Sequence, residues 1–279
     1  MNTMKKRMAA LFCAGTLLAG CAGTATEDQA AADAKDTGDK QTFTVGFDAE
    51  FPPYGYKDEN GEYTGFDLEL AQAVADMEGW ELVKQPIDWD AKDMELSSGT
   101  IDCIWNGFTM DGREDQYTFS TPYIDNSQVF VVPADSDVKT AEDLAGKNVG
   151  VQKDSSALAA LESEDHKALM DSFANLTQYA DYNTAMMDLE AGGLDAVAMD
   201  VGVADYQLAS REGEFRKLEK PLASEVYAIG FLKGNDELKD KVQEDVYKLY
   251  DDGTVDKIAD KYGLKDFLVI DKYRADKAD

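Results

Sequence analysis

The sequence contains one histidine, His166, and three cysteines in 279 residues. Catalytic or zinc sites that need several imidazoles are therefore excluded. Basic residues are also scarce: 27 lysine and arginine side chains stand against 56 acidic ones, and the formal net charge is −29. Because so acidic a surface repels phosphate backbones and anionic headgroups, we expect no nucleic-acid binding. No cofactor or metal ion is expected either.

The N-terminus has the pattern of an export signal. Three basic residues among the first seven precede an apolar run of thirteen, 8–20, which is shorter than a membrane-spanning helix of about 20 residues. We expect residues 1–20 to be a signal peptide. The segment 18–21, Leu-Ala-Gly-Cys, resembles a bacterial lipobox, in which Cys21 would be lipidated and become the mature N-terminus. The alternative is an ordinary secretory signal with a chance cysteine.

Residues 21–41 are predicted to be a flexible tether. No aromatic or branched aliphatic residue occurs in 22–41, so the segment cannot bury enough surface to offset its ordering entropy. A lipid anchor on Cys21 and a polar tether would hold the folded part outside the cell, on the cell membrane. Beyond the tether only Cys103 remains, in an apolar run. We interpret it as a packed side chain, with a reactive thiol as the alternative.

The rest of the chain, whose hydrophobic content suits a globular protein, alternates between strand and helix patterns. Apolar runs predict strands at 43–47, 101–105, 129–132, 148–151, 195–199 and 226–232. Helical spacing predicts helices at 66–77, 155–162, 183–190, 202–211, 237–251 and 255–261. Asn60-Gly61 indicates a hairpin turn, and Gly79 indicates the end of the first helix. Strands separated by helices predict βαβ units and a mostly parallel sheet.

Six motifs of one bacterial family occur in family order between about Thr42 and Tyr262. They are FDAEFPPY at 47–54, GFDLEL at 65–70, ID at 101–102 with NGFT at 106–109 and Arg113, FSTPY at 119–123, GVQ at 150–152 continuing to Ser156, and DAVAMD at 195–200. Together they resemble the extracellular solute-binding proteins for polar amino acids, which are the capture subunits of ABC importers. A single motif is weak, whereas the order of all six is specific.

The resemblance implies an α/β, two-lobed periplasmic-binding-protein-like fold. Each lobe is a central sheet flanked by helices, and two hinge strands join the lobes. By the family pattern, one lobe takes residues 42–128 plus 228–273, the other takes 129–227, and 274–279 form a tail. The ligand is expected in the cleft, beyond the carboxyl ends of strands. The lobes would close on it by hinge motion.

The resemblance also implies a function. The protein would bind a polar amino acid outside the cell and deliver it to the permease of an ABC importer, as a monomer without enzymatic activity. Two alternatives share the fold, namely a periplasmic enzyme, such as a dehydratase or a lytic transglycosylase, and a sensor domain. They are disfavoured because no murein-hydrolase domain follows Tyr262 and the chain has no signalling module.

A free amino acid carries a carboxylate and an ammonium, and both need partners once they are buried. In the matched motifs, Arg113 offers a guanidinium fork for the carboxylate, and Thr109 offers a hydroxyl. Ser155 and Ser156 begin a predicted helix, whose N-terminus favours an anion. Asp200, at the end of an apolar strand, is expected to bind the ammonium.

The ligand's side chain would contact a different set of residues. Phe51 and Trp89 match positions where relatives sandwich that side chain between aromatic walls. Asp48 matches a position that contacts polar or cationic side chains. The matched loops also contribute Asn106, Gly107 and Gln152. Because these loops hold no extra basic residue, a cationic or neutral polar amino acid is preferred over an acidic one.

Each of these assignments has an alternative. Asp200 can cap the helix that follows it, and Arg113 can form a surface ion pair. Phe51 and Trp89 can be ordinary core residues, and Tyr54 and Trp105 are left open between core and ligand site. Glu50, beside Phe51, is interpreted as a solvated loop charge.

The loop that bears Arg113 departs from the family pattern. Three residues lie between Thr109 and Arg113, where relatives usually have four. The loop must therefore turn tightly through Gly112 if the guanidinium is to face the cleft.

Overall fold

The computed structural model describes residues 40–274. The predicted signal peptide, Cys21 and the tether up to residue 39 lie outside the described residues, as does the tail beyond residue 274. In the described part of the chain, no helix is both long enough and apolar enough to cross a membrane.

Strands and helices alternate along residues 40–274. The strands are β1 Thr42–Phe47, β2 Glu50–Phe51, β3 Gly55–Lys57, β4 Tyr63–Thr64, β5 Glu81–Pro86, β6 Cys103–Ile104, β7 Tyr117–Phe119, β8 Ile124–Pro133, β9 Asn148–Gln152, β10 Asn175–Tyr179, β11 Ala196–Asp200, β12 Phe215–Lys217, β13 Ala223–Tyr227 and β14 Gly230–Leu232. The helices are α1 Phe66–Glu78, α2 Lys92–Ser97, α3 Ser156–Glu162, α4 Lys167–Met170, α5 Tyr182–Glu190, α6 Val201–Ser210, α7 Asp236–Asp251, α8 Thr254–Lys261 and α9 Ile270–Tyr273. Every helix predicted from the sequence lies within one residue of its observed bounds.

The strands form two large sheets, one in each lobe. The first has the order β5-β1-β6-β14-β7, and the second has the order β10-β9-β11-β8-β12 with β13 on the other part of β8. In the first sheet β5, β1 and β6 are parallel, while β14 is antiparallel to both of its neighbours. In the second sheet β10, β9 and β11 are parallel, while β8 is antiparallel to every strand it pairs with.

The prediction of a mostly parallel sheet is therefore wrong, because both sheets are mixed. Helical crossovers make strands parallel only where they connect neighbours within one lobe. Strands β8 and β14 enter their sheets directly from the other lobe, so no crossover constrains their direction.

The two lobes are connected by extended segments that cross between the sheets. Strands β8 and β13 pair with Ile124 opposite Tyr227 and Gln128 opposite Ala223. The strand predicted at 226–232 is wrong as a single element, since β13 ends in the second sheet and β14 begins in the first. Between them, the N–H of Ile229 donates to Ser120 Oγ at 2.9 Å, so the first lobe holds the crossing segment. A continuous apolar run carries no signal for such a change of sheet.

Two local predictions that depend on glycine are confirmed. Gly61 has φ 85° in the turn between β3 and β4, and its N–H donates to the Asp58 carbonyl at 3.0 Å. Gly79 ends α1 with φ 68°, and its N–H faces the carbonyls of the last turn. Both positions need the left-handed backbone that glycine adopts without steric cost.

Apolar side chains form three buried clusters, one of which extends through both lobes. Phe51 and Tyr54 of the first lobe lie in the same cluster as Tyr182 and Met199 of the second. Cys103 is fully buried there, as predicted for a packed side chain, and burial raises the pKa of its thiol well above the usual range.

Candidate functional site

Polar side chains meet where strands of both sheets end. Asp48 follows β1, Asn106 lies two residues beyond β6, and Gln152 ends β9. The N–H of Asp48 donates to Asn106 Oδ1 at 3.0 Å, and Gln152 Nε2 donates to Asp48 Oδ2 at 2.7 Å. The second of these bonds joins the two lobes. Because carboxyl ends of parallel strands form the usual ligand edge of α/β sheets, this is the candidate site.

Arg113 spans the cleft in spite of its shortened loop. The chain turns at Gly112, which has φ 78°, and the N–H of Arg113 donates to the Met110 carbonyl at 3.0 Å. Its guanidinium lies 5.1 Å from the ring centroid of Phe108. From there Nη1 donates to Ser156 Oγ of the second lobe at 3.1 Å. The tight turn therefore aims the guanidinium inward, and the surface ion pair considered above is not formed.

The hydroxyl groups next to Arg113 form a short chain of hydrogen bonds. Ser156 Oγ donates to Thr109 Oγ1 at 2.7 Å. Ser155 occupies the N-cap of α3, and its side chain accepts from the N–H of Leu158 at 3.1 Å. The hydroxyl of Ser155 is thus engaged in capping. Since α3 has only seven residues, the charged guanidinium rather than the helix supplies most of the positive potential here.

Asp200 lies at the opposite end of the site, 4% exposed. It occupies the N-cap position of α6, but its side chain makes no capping hydrogen bond. Instead Asp200 Oδ1 accepts from Asn126 Nδ2 at 2.9 Å, from Gln128 Nε2 at 2.7 Å and from the Tyr227 hydroxyl. The carboxylate is therefore directed at the hinge strands, and burial raises its pKa above the usual range.

Glu225 is a buried carboxylate that the sequence reading missed. Its Oε1 accepts from Thr109 Oγ1 at 2.9 Å, from Asn126 Nδ2 at 2.6 Å and from Gln128 Nε2 at 2.7 Å. Burial, and after it the charge of Asp200, raises the pKa of Glu225 to about 7. The polar residues at 126 and 128, alternating within an apolar strand, are the one sequence signal that could have pointed to this cluster.

The aromatic side chains are divided between two groups. Phe51 is buried against Tyr54 and Tyr182, with ring centroids 5.7 Å and 6.0 Å apart. Trp89 packs edge-on against Phe108 at 5.7 Å, and the Lys92 ammonium lies 5.2 Å from its ring. Phe51 is thus buried among aromatic side chains, whereas Trp89 is half-buried. Tyr54 contacts Tyr227 at 5.2 Å, whereas Trp105 is fully buried in the core.

Two cavities flank the line of contact between the lobes. One, of about 450 Å³, is lined by Thr109, Arg113, Ser155, Ser156 and Glu225 together with residues of α2 and α3. The other, of about 410 Å³, is lined by Asp48, Ala49, Glu50, Pro86, Ile87, Asp88, Trp89, Glu95, Ala180 and Asp181. The second cavity has five acidic residues and no basic one on its wall. Burial raises the pKa of Asp48 to about 6.

Gly107 lies in the loop after β6, close to Phe51 and Tyr227. It has φ 55°, and a Cβ there would lie 2.9 Å from ring atoms of Phe51 and Tyr227. Its N–H donates to Asp67 Oδ2 at 2.5 Å. Among residues 40–274, no group of three or more His, Cys, Asp or Glu side chains is arranged to hold a metal ion.

Sequence comparison connects the chain to known binding proteins. The sequence model of the bacterial extracellular solute-binding proteins, family 3, matches residues 43–265. The chain is 29% identical over 227 residues to the L-cystine-binding protein TcyJ of Escherichia coli K12, covering 80% of this chain and 83% of that protein. It is 30% identical over 244 residues to the probable amino-acid-binding protein YxeM of Bacillus subtilis 168, covering 84% and 89%.

Solved structures give the same result. A substrate-binding protein of an ABC uptake transporter from Streptococcus pneumoniae, with bound histidine, matches with a TM-score of 0.76 and 37% identity over 79% of this chain and 92% of that one. An ancestral arginine-binding protein bound to arginine matches with a TM-score of 0.73 and 35% identity over 80% and 98%. The chain therefore belongs to the bacterial extracellular solute-binding proteins, family 3.

Proposed function

We propose that this protein captures a polar amino acid outside the cell and delivers it to the permease of an ABC importer. The observation that carries this proposal is a chain of hydrogen bonds between the lobes that begins at the Arg113 guanidinium and, through Ser156, Thr109, Glu225 and Asn126, ends at the Asp200 carboxylate. A zwitterion needs one anchor of each charge once it leaves water. Relatives named for cystine, and neighbours bound to histidine and arginine, support the same ligand class.

Arg113 receives the ligand's carboxylate. Its guanidinium has five donors in a fixed fork, and Thr109 and Ser156 add hydroxyl groups within hydrogen-bond distance of each other. Asp200 receives the ammonium, together with the carbonyl groups of the loop at Asn106 and Gly107.

The ligand's side chain extends toward the acidic cavity. Trp89 and Asp48 line that cavity, Gln152 orients Asp48, and we propose Phe51 as a second apolar contact of the side chain. Five acidic residues and no basic one favour a cationic or neutral polar side chain over an acidic one.

The remaining parts of the proposal concern the whole chain. The lobes, 42–128 plus 228–273 and 129–227, close on the ligand by bending at the crossing strands. The protein acts as a monomer, anchored through lipidated Cys21 with 21–41 as its tether. It acts as a binding protein rather than an enzyme, which agrees with relatives that are named as binding proteins. The enzyme alternative rests on a similar solved structure, an ancestral amino-acid-binding protein described as a precursor of cyclohexadienyl dehydratase.

Calorimetric titration with the common amino acids, cystine and ornithine tests the proposal. Arg113→Ala and Asp200→Ala should each raise Kd by about 30-fold to several thousand-fold, the effect of about 2–5 kcal/mol for an unmatched buried charge. Matched controls are Arg211→Ala and Asp137→Ala, which lie outside the cleft. No binding of any amino acid by the wild type, or wild-type affinity in both folded variants, contradicts the proposal.

A further inference from the structure

Asp200 and Glu225 receive hydrogen bonds from the same two amide groups. Asn126 Nδ2 lies 2.9 Å from Asp200 Oδ1 and 2.6 Å from Glu225 Oε1. Gln128 Nε2 lies 2.7 Å from each of these oxygens. Because both nitrogens contact both oxygens, the two carboxylates are neighbours across a pair of shared donors.

The hinge strands fix this arrangement. Asn126 and Gln128 are two residues apart on β8 and therefore lie on the same face of the strand. Glu225 lies directly opposite Asn126 on β13. The amide oxygens of Asn126 and Gln128 are buried and have no partner among the described residues. This is because both amides direct their N–H groups toward the two carboxylates, which leaves the amide oxygens on the other side.

No cation offsets the pair. Within residues 40–274, neither Asp200 nor Glu225 forms a salt bridge with lysine or arginine. Arg113 contacts neither carboxylate directly. Its Nη1 donates to the Thr109 carbonyl and to Ser156 Oγ, and Thr109 in turn donates to Glu225. The titratable and charged groups that face the pair from the surrounding elements are Tyr54, Asp111, Arg113, Tyr182 and Tyr227.

Asp200 is 4% exposed and Glu225 is 8% exposed. Two ionised carboxylates this close together repel each other strongly where so little water reaches them. The pair lowers its energy by keeping one proton, or by taking up a cation. A ligand ammonium is such a cation. Resting on the proposed function, we propose that Asp200 and Glu225 share one proton in the ligand-free protein and that the ammonium of the bound amino acid displaces it to solvent.

Glu225 then has two roles. It is the second carboxylate of the ammonium subsite, and it positions Asp200 through the amides of Asn126 and Gln128. Affinity becomes linked to pH, because the proton and the ammonium compete for one place. Lowering the pH should raise Kd by up to about tenfold per unit below the value at which the pair takes up its proton. The direction of the pKa of Glu225, raised to about 7 by burial, agrees with this competition.

Proton release can be counted by calorimetry in buffers that differ in their enthalpy of ionisation. The probes are L-arginine and L-glutamine, within a panel of common amino acids, since neither has a group that titrates near neutral pH. At pH 7.0 Asp48, whose pKa is about 6, is largely ionised, whereas Asp67, whose pKa is about 7, still titrates, so the release is compared with that of a variant at Glu225. We expect the wild type to release at least roughly a third of a proton per ligand bound.

Glu225→Gln removes one charge and keeps an oxygen for Thr109 and the amides. It should bind the same probe with less than about 0.1 proton released and with a flattened dependence of Kd on pH. Glu212→Gln, at an exposed position in the same lobe, should release as many protons as the wild type.

Each outcome is decisive. Binding without proton release by the wild type overturns the inference but leaves the proposed function intact. Equal release by the wild type and Glu225→Gln also overturns it, because the proton then comes from elsewhere. No binding by any amino acid overturns the proposed function itself. If Glu225→Gln fails to fold, infrared difference spectra of the wild type labelled with ¹³C-glutamate or with ¹³C-aspartate decide: a protonated carboxyl band that shifts with one of the two labels must disappear on binding, and its persistence overturns the inference.

Discussion

The carboxylate of Asp67 accepts a hydrogen bond from the backbone N–H of Gly107, at 2.5 Å, and another from the Tyr123 hydroxyl, at 2.9 Å. Asp67 belongs to the GFDLEL motif, and it is fully buried in the first turn of α1. Gly107 belongs to the loop that carries Thr109, and Tyr123 directly precedes hinge strand β8. One side chain thus connects the core of the first lobe to the ligand loop and to the hinge.

Asp67→Asn should weaken both ligand binding and stability. The amide presents N–H groups to one of two donors, so one buried hydrogen bond is lost, at a cost of about 1–3 kcal/mol in the free energy of unfolding. We expect Kd to rise by up to roughly tenfold as the loop shifts. Urea unfolding and calorimetry measure the two effects. Asp76→Asn, exposed on the same helix, is the matched control. If the free energy of unfolding of Asp67→Asn is unchanged, the hydrogen bond to Gly107 contributes little to stability.

Gly107→Ala should disrupt the cleft more than an ordinary glycine substitution. Its φ of 55° already disfavours alanine, and the new Cβ would lie 2.9 Å from Phe51 and Tyr227. Gly146→Ala is the control, since φ is 74° there but no atom lies within 4 Å of the Cβ position. Strain alone costs about 1–2 kcal/mol. We expect a larger loss of unfolding free energy, and loss of ligand binding, only in Gly107→Ala. Equal losses in the two variants would contradict the steric argument.

Six of the nine helices in residues 40–274, and strands β1, β6, β8, β9 and β11, were predictable because their signals are local. Helix α1 has apolar residues at helical spacing and a glycine at its end, and α5 and α6 have the same kind of spacing. Strand β5, Glu81–Pro86, was missed because it mixes charged, polar and apolar residues and every position but the first is only half-buried. Helix α2 was missed because its six residues include three with charged side chains. Both elements are stabilised by tertiary contacts that leave no periodic pattern.

The candidate site was predictable where motifs mark it. Arg113, Ser156 and Asp200 come from motifs in family order; in the structure Arg113 donates to Ser156, and Asp200 accepts from Asn126 on the hinge. Glu225 lies in no motif, and its importance arises only because β13 pairs with β8. Pairing between strands that are more than 90 residues apart depends on the tertiary fold, so it cannot be predicted from a single sequence.

Stability should fall as the pH rises from about 5 to 7.5. Burial raises the pKa of Asp67 to about 7 and that of Asp48 to about 6. Between the unfolded values near 4 and these folded values, the folded state binds more protons than the unfolded state, so raising the pH favours unfolding. Urea unfolding across this range measures the slope, to which one group contributes at most about 1.4 kcal/mol per pH unit. Asp67→Asn should reduce the slope, whereas Asp76→Asn should not. A slope of the opposite sign contradicts the prediction.

Membrane attachment should depend on Cys21. Because segment 18–21 resembles a lipobox, Cys21→Ser removes the thiol that would be acylated. We expect the variant to leave the membrane fraction, since no other anchor is predicted. Cys13→Ser, within the apolar run of the signal, is the control and should stay attached. Fractionation followed by immunoblotting measures this, and unchanged membrane association of Cys21→Ser would rule out the lipid anchor.

Two reciprocal ion pairs join the lobes at the rim of the cleft. Lys92 of the first lobe pairs with Asp154 of the second, and Asp90 of the first pairs with Lys153 of the second. The paired residues are close together in each chain segment. Each lobe contributes one lysine and one aspartate, so each lysine pairs with the aspartate of the other lobe. They stabilise only the arrangement in which the lobes touch, so they should favour closure on ligand.

The exposed pair can be tested by exchanging its charges. Lys153→Asp places two carboxylates opposite each other and should raise Kd by roughly two- to fivefold, because an exposed pair contributes little to closure. Adding Asp90→Lys restores an attractive pair and should return Kd close to the wild-type value. The effect should shrink at high salt, because exposed charges are screened. Lys167→Asp, whose partner Asp171 lies in the same lobe, is the control and should leave Kd unchanged. If the double variant binds no better than Lys153→Asp alone, the pair does not act as a latch between the lobes.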